Sequence, residues 1–237
     1  MPNQLAATPE QLEHIGALAA ELVSPRDHVG LGSGKAALAF VRMLGRRIGQ
    51  EGLRVTGVAS SLLTEQVARE HGVPIATLEQ VEALELAVDG ADEVDPRLNL
   101  TKGGGGNLTR EKVISGIAKQ LVIVVGQEKI VDHLGTNFPV FVEVIEFARP
   151  VVVRMLQALG ADVTQRRNSD GSPFLTDNGN PYLHCRFGPE ALTDPEKLEL
   201  ALRVMPGVVE TGLFIGMANE VIVAKLDGGV ERRRREN

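Results

Sequence analysis

The sequence predicts an α/β protein: a parallel sheet flanked by helices that also carries a smaller α+β segment. Two observations predict it. Up to about residue 130, helical periodicity alternates with short aliphatic runs that end in glycine, which is the pattern of buried parallel strands joined by crossover helices. Past Asp132 the texture changes to strand-like stretches, one helix and a turn signal, the mark of an α+β insert.

Taken in order, PEQLEHIGALAAELV predicts a helix over about 9–23, and HVGL a short strand at 28–31. A helix over about 35–49, a strand near 53–58 and a helix over 61–71 follow. Next come a strand at 84–88, a helix over about 109–119 opened by Asn107 or Thr109 as its cap, and the most apolar strand, 121–125. In the second part, PVFVEVIEF and DVTQRR read as strands and ARPVVVRMLQALG as a helix. SPFLTDNGNPYLHCRF reads as a hairpin turning at Asp177–Asn180. PEALTDPEKLELALRVM gives one more helix, and GLFIGMANEVIVAKLDGG apolar strands that return to the main sheet. No internal repeat and no Ser/Gly-rich linker is visible.

Composition excludes several functions. The 237 residues are 43% hydrophobic and 24% charged, ordinary for a globular protein, with no apolar run long enough to span a bilayer. The N-terminus lacks the basic and apolar regions of a signal peptide, so the chain is expected in the cytoplasm. A net charge of −6 and eight aromatic residues (seven Phe, one Tyr) argue against a nucleic-acid surface. The basic cluster Arg232–Arg235 is expected to be a solvated, poorly ordered end. The lone Cys185 has no disulfide partner and reads as a small buried residue.

Gly30, Gly32 and Gly34 follow the first strand and open the next helix, where backbone amides and the positive helix end suit an anion; a tight strand-to-helix turn explains them equally well. The loop is not a dinucleotide fingerprint, which needs Gly at Lys35, nor a Walker A loop, which needs Gly at Val29 and Ser or Thr at Ala36. VDGADEVD places Asp89, Asp92, Glu93 and Asp95 at the carboxyl end of a strand, the edge where open α/β sheets bind ligands. A divalent cation is the lesser reading, because Ala91 breaks the EF-hand pattern, and solvated loop acids account for some of Glu93 and Asp95. In TKGGGGNLTREK, Lys102 precedes Gly103–Gly106, a run costly to order unless backbone must approach a ligand, though a linker has the same composition. Glu111 falls in the first helical turn, where the dipole favours its charge and where stabilising glutamates are common.

Seven blocks, GLGSGKAA, VASSLLT, VDGADEVD, TKGGGGNLTREK, FPVFVEVIEFA, FLTDNGN and PGVVETGLFIGMA, occur in the order found in the ribose-5-phosphate isomerase A family, which the chain resembles over nearly its whole length. The resemblance implies interconversion of D-ribose 5-phosphate and D-ribulose 5-phosphate through an enediolate, in the non-oxidative pentose phosphate pathway, with no cofactor, metal or nucleotide. Glu111 then matches the base that carries the proton between C2 and C1, and Lys102 the cation at the enediolate oxygen. Asp89 and Asp92, with Gly90 and Ala91 between them, match the acids at the sugar hydroxyls, and Gly103, Gly104 and Gly105 the adjoining backbone. Lys129 aligns with a substrate-contacting lysine, although Gly126-Gln127-Glu128 replaces an Asp-containing turn.

Ser33, Gly34, Lys35 and Ala36 align with the family's TGST phosphate loop, exchanging two hydroxyl donors for one cation. Either Lys35 compensates as a point charge or the preference for phosphate or chain length is altered. The family fold implies a Rossmann-like core over 1–130 and 207–237 with a ferredoxin-like α+β domain over 131–206, and a homo-oligomer, dimer or tetramer. Glucosamine-phosphate deaminases and CoA transferases share the general core but not DGAD or KGGGG. A sugar-phosphate sensor would need a helix-turn-helix, for which the residues before the first helix leave no room.

Overall fold

A computed structural model describes residues 6–235. In chain order the regular elements are α1 (Pro9–Ala20), β1 (His28–Leu31), α2 (Gly34–Glu51), β2 (Thr56–Ala59), α3 (Leu62–Glu70), β3 (Leu86–Asp89), β4 (Glu93–Val94), β5 (Leu100–Thr101), α4 (Leu108–Gly116) and β6 (Leu121–Gly126). They continue with β7 (Val140–Val144), α5 (Arg149–Ala158), β8 (Asp162–Gln165), β9 (Tyr182–Arg186), α6 (Pro195–Arg203), β10 (Val208–Thr211), β11 (Leu213–Phe214), β12 (Glu220–Ala224) and β13 (Val230–Arg234). The chain forms two compact units. One holds the chain up to Ala91, Arg110–Ile130 and the chain from Met217; the other holds Asp92–Thr109 and Val131–Gly216.

The first unit is a doubly wound sheet in the order β13-β12-β6-β3-β1-β2, parallel throughout except for β13. Its strands are aliphatic because both faces are covered. Val29, Leu31, Val88, Val124 and Ile222 pack with Ile15, Phe40 and Leu44 in one core, each side chain contributing about 1.5–3 kcal/mol by burial. Local chemistry starts the helices: Thr8 and Gln11 form a capping box at α1, and the Ser61 hydroxyl accepts from Thr64 N, 3.0 Å, at α3. The chain winds outward in opposite directions from β1 and β3, so the loops after these two strands part and leave a crevice, the position where such sheets take ligands.

The second unit runs β7-α5-β8-β9-α6-β10 as an antiparallel sheet in the order β10-β7-β9-β8, the ferredoxin-like arrangement. Val142, Val144, Leu183 and Cys185 pack with Val152, Leu156, Leu198 and Leu202 in its core. A small sheet, β11-β5-β4, belongs to the same unit.

Four local expectations are corrected. The helix read from PEALTDPEKLELALRVM is broken: Pro189–Leu192 is a single 3₁₀ turn, and α6 starts afresh at Pro195 because the Asp194 carboxylate caps Lys197 N at 3.0 Å. The hairpin after residue 172 is reduced to isolated bridges, Arg167 with Pro173 and Leu175 with Pro181, since a proline contributes no N–H to a ladder. Thr109 lies within α4 and cannot be its cap. The Arg232–Arg235 run is not a loose end, for Arg232–Arg234 belong to β13, paired with β12, and Arg232 and Arg234 reach Glu220 at 3.4 and 3.1 Å.

Candidate active site

In the first unit the crevice is built from the ends of β1 and β3. Gly32 N donates to Val88 O at 2.9 Å, keeping the chain beyond β1 tied to β3. Asp89 ends β3 and is 3% exposed; its Oδ1 accepts from Ser33 N at 3.0 Å and Gly90 N at 2.7 Å. A Cβ at Gly32 would overlap the Asp89 carboxyl group, so glycine is what allows the acid to sit there. Ser33 precedes α2 in extended conformation, yet its side chain makes no cap bond. Its hydroxyl instead donates to Glu111 Oε1 at 2.5 Å, and Glu111 is 4% exposed. Thr64, from the VASSLLT block, donates through Oγ1 to Gly32 O at 2.9 Å and steadies the loop from α3.

The remaining residues expected in this unit are less enclosed. Gly34 and Lys35 are exposed at the start of α2 and Ala36 is half-buried. Gly90 and Ala91 are half-buried after β3, as is Lys129 in the 3₁₀ turn Gln127–Lys129 after β6.

In the second unit the four-glycine run is a pinned turn and not a linker. Gly106 N donates to Gly103 O at 2.8 Å, and Gly104 N donates to Asp92 Oδ2 at 2.8 Å. Tyr182 donates its hydroxyl to Gly103 O at 2.6 Å, and Arg166 donates to Gly104 O at 3.1 Å while its guanidinium lies 4.0 Å from the Phe174 ring centre. Gly103 has φ +121°, and a Cβ there would overlap the Tyr182 hydroxyl, so no side chain fits. Lys102 is 3% exposed, bonds through its N–H to Gly212 O at 2.9 Å, and holds its ammonium 5.5 Å from the Phe214 ring centre. Gly104 and Gly105 are exposed.

Glu93 and Asp95 are not solvated acids. Glu93 is fully buried: Oε1 accepts from Asn137 N at 2.5 Å and Phe138 N at 3.2 Å, and Oε2 from Gly135 N at 2.5 Å and Thr101 Oγ1 at 3.2 Å. Asp95 Oδ1 closes the turn before β5 by accepting from Arg97 N and Asn99 N, both at 2.8 Å. Both acids hold structure together. Cys185 is buried as expected, and burial pushes its thiol up to about 12. His184 is held below its ordinary value by burial first and then by Arg166 and Arg186. Among the described residues no group of three or more His, Cys, Asp or Glu could hold a metal ion, and no helix is long and apolar enough to cross a membrane.

Sequence reasoning missed three supports. The hydroxyl of Ser33 on Glu111, the Tyr182 and Arg166 grip on the glycine turn, and the buried Glu143 join residues 78, 79, 62 and 33 or more positions apart. The available signal was a lone acid inside the apolar run PVFVEV and the chain's single tyrosine.

The family model for ribose 5-phosphate isomerase A (phosphoriboisomerase A) matches residues 56–228. The chain belongs to the ribose-5-phosphate isomerase A family. Asp89, Asp92, Lys102, Glu111 and Lys129 lie within the matched span, and Ser33–Ala36 precede it. Ribose-5-phosphate isomerase A of Synechococcus sp. (strain JA-3-3Ab) is 44% identical over 225 residues, covering 94% of this chain and 97% of its own. A solved D-ribose-5-phosphate isomerase in complex with phospho-erythronic acid superposes with a TM-score of 0.91 at 36% identity, covering 97% of this chain and all of that one. The ribose 5-phosphate isomerase A of Methanocaldococcus jannaschii gives 0.91 at 35% identity, covering 96% of this chain and 100% of its own. Members of the ribose-5-phosphate isomerase A family are aldose–ketose isomerases, and the α/β core with its ferredoxin-like insert is the fold they share with this chain.

Proposed function

We propose that this chain interconverts D-ribose 5-phosphate and D-ribulose 5-phosphate, with Glu111 moving the proton between C2 and C1. The observation that carries the assignment is Glu111 Oε1 held 2.5 Å from the Ser33 hydroxyl, in a helix that follows directly on Lys102 and the glycine turn. A carboxylate removed from bulk water but facing a hydroxyl can take a proton and return it to the neighbouring carbon, and a positioned base contributes roughly 10²- to 10⁴-fold.

In this reading Lys102 stabilises the enediolate oxygen, an effect typically worth about 3 kcal/mol of barrier. Its near-complete burial supports the role, because a charge kept from solvent acts more strongly on an oxyanion. Asp89 and Asp92 contact the sugar hydroxyls and assist ring opening, with Gly90, Ala91 and the Gly103–Gly105 amides lining the sugar. The phosphate takes the Ser33–Ala36 turn at the start of α2, where amides and the helix dipole favour an anion, with Lys35 and Lys129 as point charges. Exposure of Lys35 suits contact with a ligand arriving from solvent.

The four-carbon acid bound by the solved relative supports the reading further. A carboxylate is a planar group with negative charge spread over two oxygens, and in this it resembles the planar O–C=C–O group of an enediolate, so phospho-erythronic acid should compete with ribose 5-phosphate here. The reading needs neither metal nor nucleotide. It also places the chain in the cytoplasm as a homo-oligomer, dimer or tetramer.

The test is conversion of ribose 5-phosphate by the purified chain in EDTA, followed by ketose formation. Steady turnover that phospho-erythronic acid inhibits competitively is expected. Absence of turnover on five-carbon aldose phosphates would overturn the function, and activity appearing only with added divalent cation would overturn the metal-free route.

A further inference from the structure

Two sequence blocks, FPVFVEVIEFA and FLTDNGN, have no part in the chemistry assigned so far, and the structure brings both to one carboxylate. Glu143 sits mid-strand in β7 between Val142 and Val144 and is fully buried. Its Oε1 accepts from Thr176 Oγ1 at 3.0 Å, Asn178 Nδ2 at 3.1 Å and Asn180 Nδ2 at 2.8 Å, all in the TDNGN turn. Its Oε2 accepts from Thr109 Oγ1 at 2.6 Å.

We infer that Glu143 is a positioning residue for proton transfer, clamping the first turn of α4 through Thr109 so that Glu111 is presented at a fixed angle. The inference rests on the proposed isomerase reading.

A fully buried carboxyl group in an aliphatic strand is costly unless hydrogen bonds replace its water. Here four donors from two distant stretches do so, and only one of the four belongs to a helix. Thr109 is the second residue of that helix and Glu111 the fourth. Side chains two apart on a helix point about 200° from each other, so a tie on Thr109 holds the side of the turn opposite Glu111. Gly103–Gly106 run into this turn and are pinned at Gly103, Gly104 and Gly106, and the Thr109 hydroxyl adds a tie within the first turn itself. First-turn amides also lack helical partners, so this end frays first. The Thr109 bond adds a restraint on rotation and fraying at the side of the turn opposite the Ser33–Glu111 bond. Small misplacements matter here: a shift of about 1 Å at a reacting group can cost on the order of 10²-fold. The TDNGN turn acts at one remove, holding the Glu143 oxygens so that Oε2 stays aimed at Thr109.

Thr109→Val keeps the shape of the side chain and removes the hydroxyl, while Thr109→Ser keeps the hydroxyl. In Thr109→Val, kcat should fall about 10- to 100-fold with KM within about twofold, and Thr109→Ser should recover most of the loss. Placed in a Glu111→Gln background, Thr109→Val should add almost no further loss, because it acts through Glu111. Glu143→Gln should follow Thr109→Val in kcat if it folds; the two Thr109 variants decide the matter if it does not. Wild-type kcat in Thr109→Val, an equal loss in Thr109→Ser, a change confined to melting temperature, or full additivity with Glu111→Gln would each overturn the inference. An inactive wild-type chain would instead bring down the isomerase reading, and this inference with it.

Discussion

Glu93 and Glu111 are both almost wholly removed from water, yet what meets their oxygens differs. Glu93 faces three backbone amides of a single loop, Gly135, Asn137 and Phe138, together with the Thr101 hydroxyl. Main-chain donors fixed by a fold cannot swing away, so this acid is a structural tie. Glu111 faces the hydroxyl of Ser33, which rotates about a single bond and both donates and accepts. Burial of a carboxyl group alone therefore does not mark function.

The sharpest way to break this contrast is the same substitution at both positions. Glu111→Gln should lower kcat by roughly 10³-fold, within the range for loss of a positioned base, and leave the melting temperature nearly unchanged. Glu93→Gln should leave kcat per folded molecule within about twofold. It sets an amide N–H₂ against buried N–H donors, at about 1–3 kcal/mol for each left without an acceptor, and should lower the melting temperature by about 4–8 °C. Steady-state kinetics and thermal melts on the two variants check both, and exchanged outcomes would refute the contrast.

A smaller effect is expected at Lys35, where no enclosure holds the side chain. Lys35→Ala should raise KM for ribose 5-phosphate about fivefold at unchanged kcat, since a phosphate contact is present in ground and transition states alike. Unchanged KM would remove Lys35 from the phosphate site.

A purely pH-dependent effect belongs to a third kind of buried acid, one kept neutral by burial alone. The Cys185 thiol is raised to about 12, against about 8.5 when exposed in the unfolded chain. Its folded form resists ionisation, so the stability linked to it is complete below about pH 8.5 and is lost as pH rises toward 12. Wild-type protein should therefore lose stability between pH 8.5 and 10.5 more steeply than Cys185→Val, as measured by denaturant titration; parallel slopes would mean that the thiol is not sealed.

Much of this was legible in the sequence where local signals and tertiary packing agree. β1 and β6 are short aliphatic runs stopped by polar residues or glycine, and both fall within a residue of their expected bounds. α2 and α3 follow apolar periodicity with serine before each start. The Asp194-Pro195 pair that splits the helix at α6 is a start signal submerged in a longer periodic pattern. Glu93 looked like a loop acid because its main-chain donors come from positions more than forty residues away, and Asp95 because its bonds from Arg97 N and Asn99 N form only once the turn before β5 is folded. The acids of VDGADEVD divide into ligand-facing candidates and structural ties only when those donors are seen.

β13 was illegible for a different reason: five residues of which four are charged do not read as a strand. Its hydrogen bonds come from β12, and Glu220 on that strand gathers two of its arginines. The arrangement has a consequence for self-recognition. An outermost strand is a template on which a second chain can extend a sheet, but one lined with guanidinium groups meets its own copy as like charge against like. Two molecules of this protein are thus discouraged from joining sheet to sheet at β13.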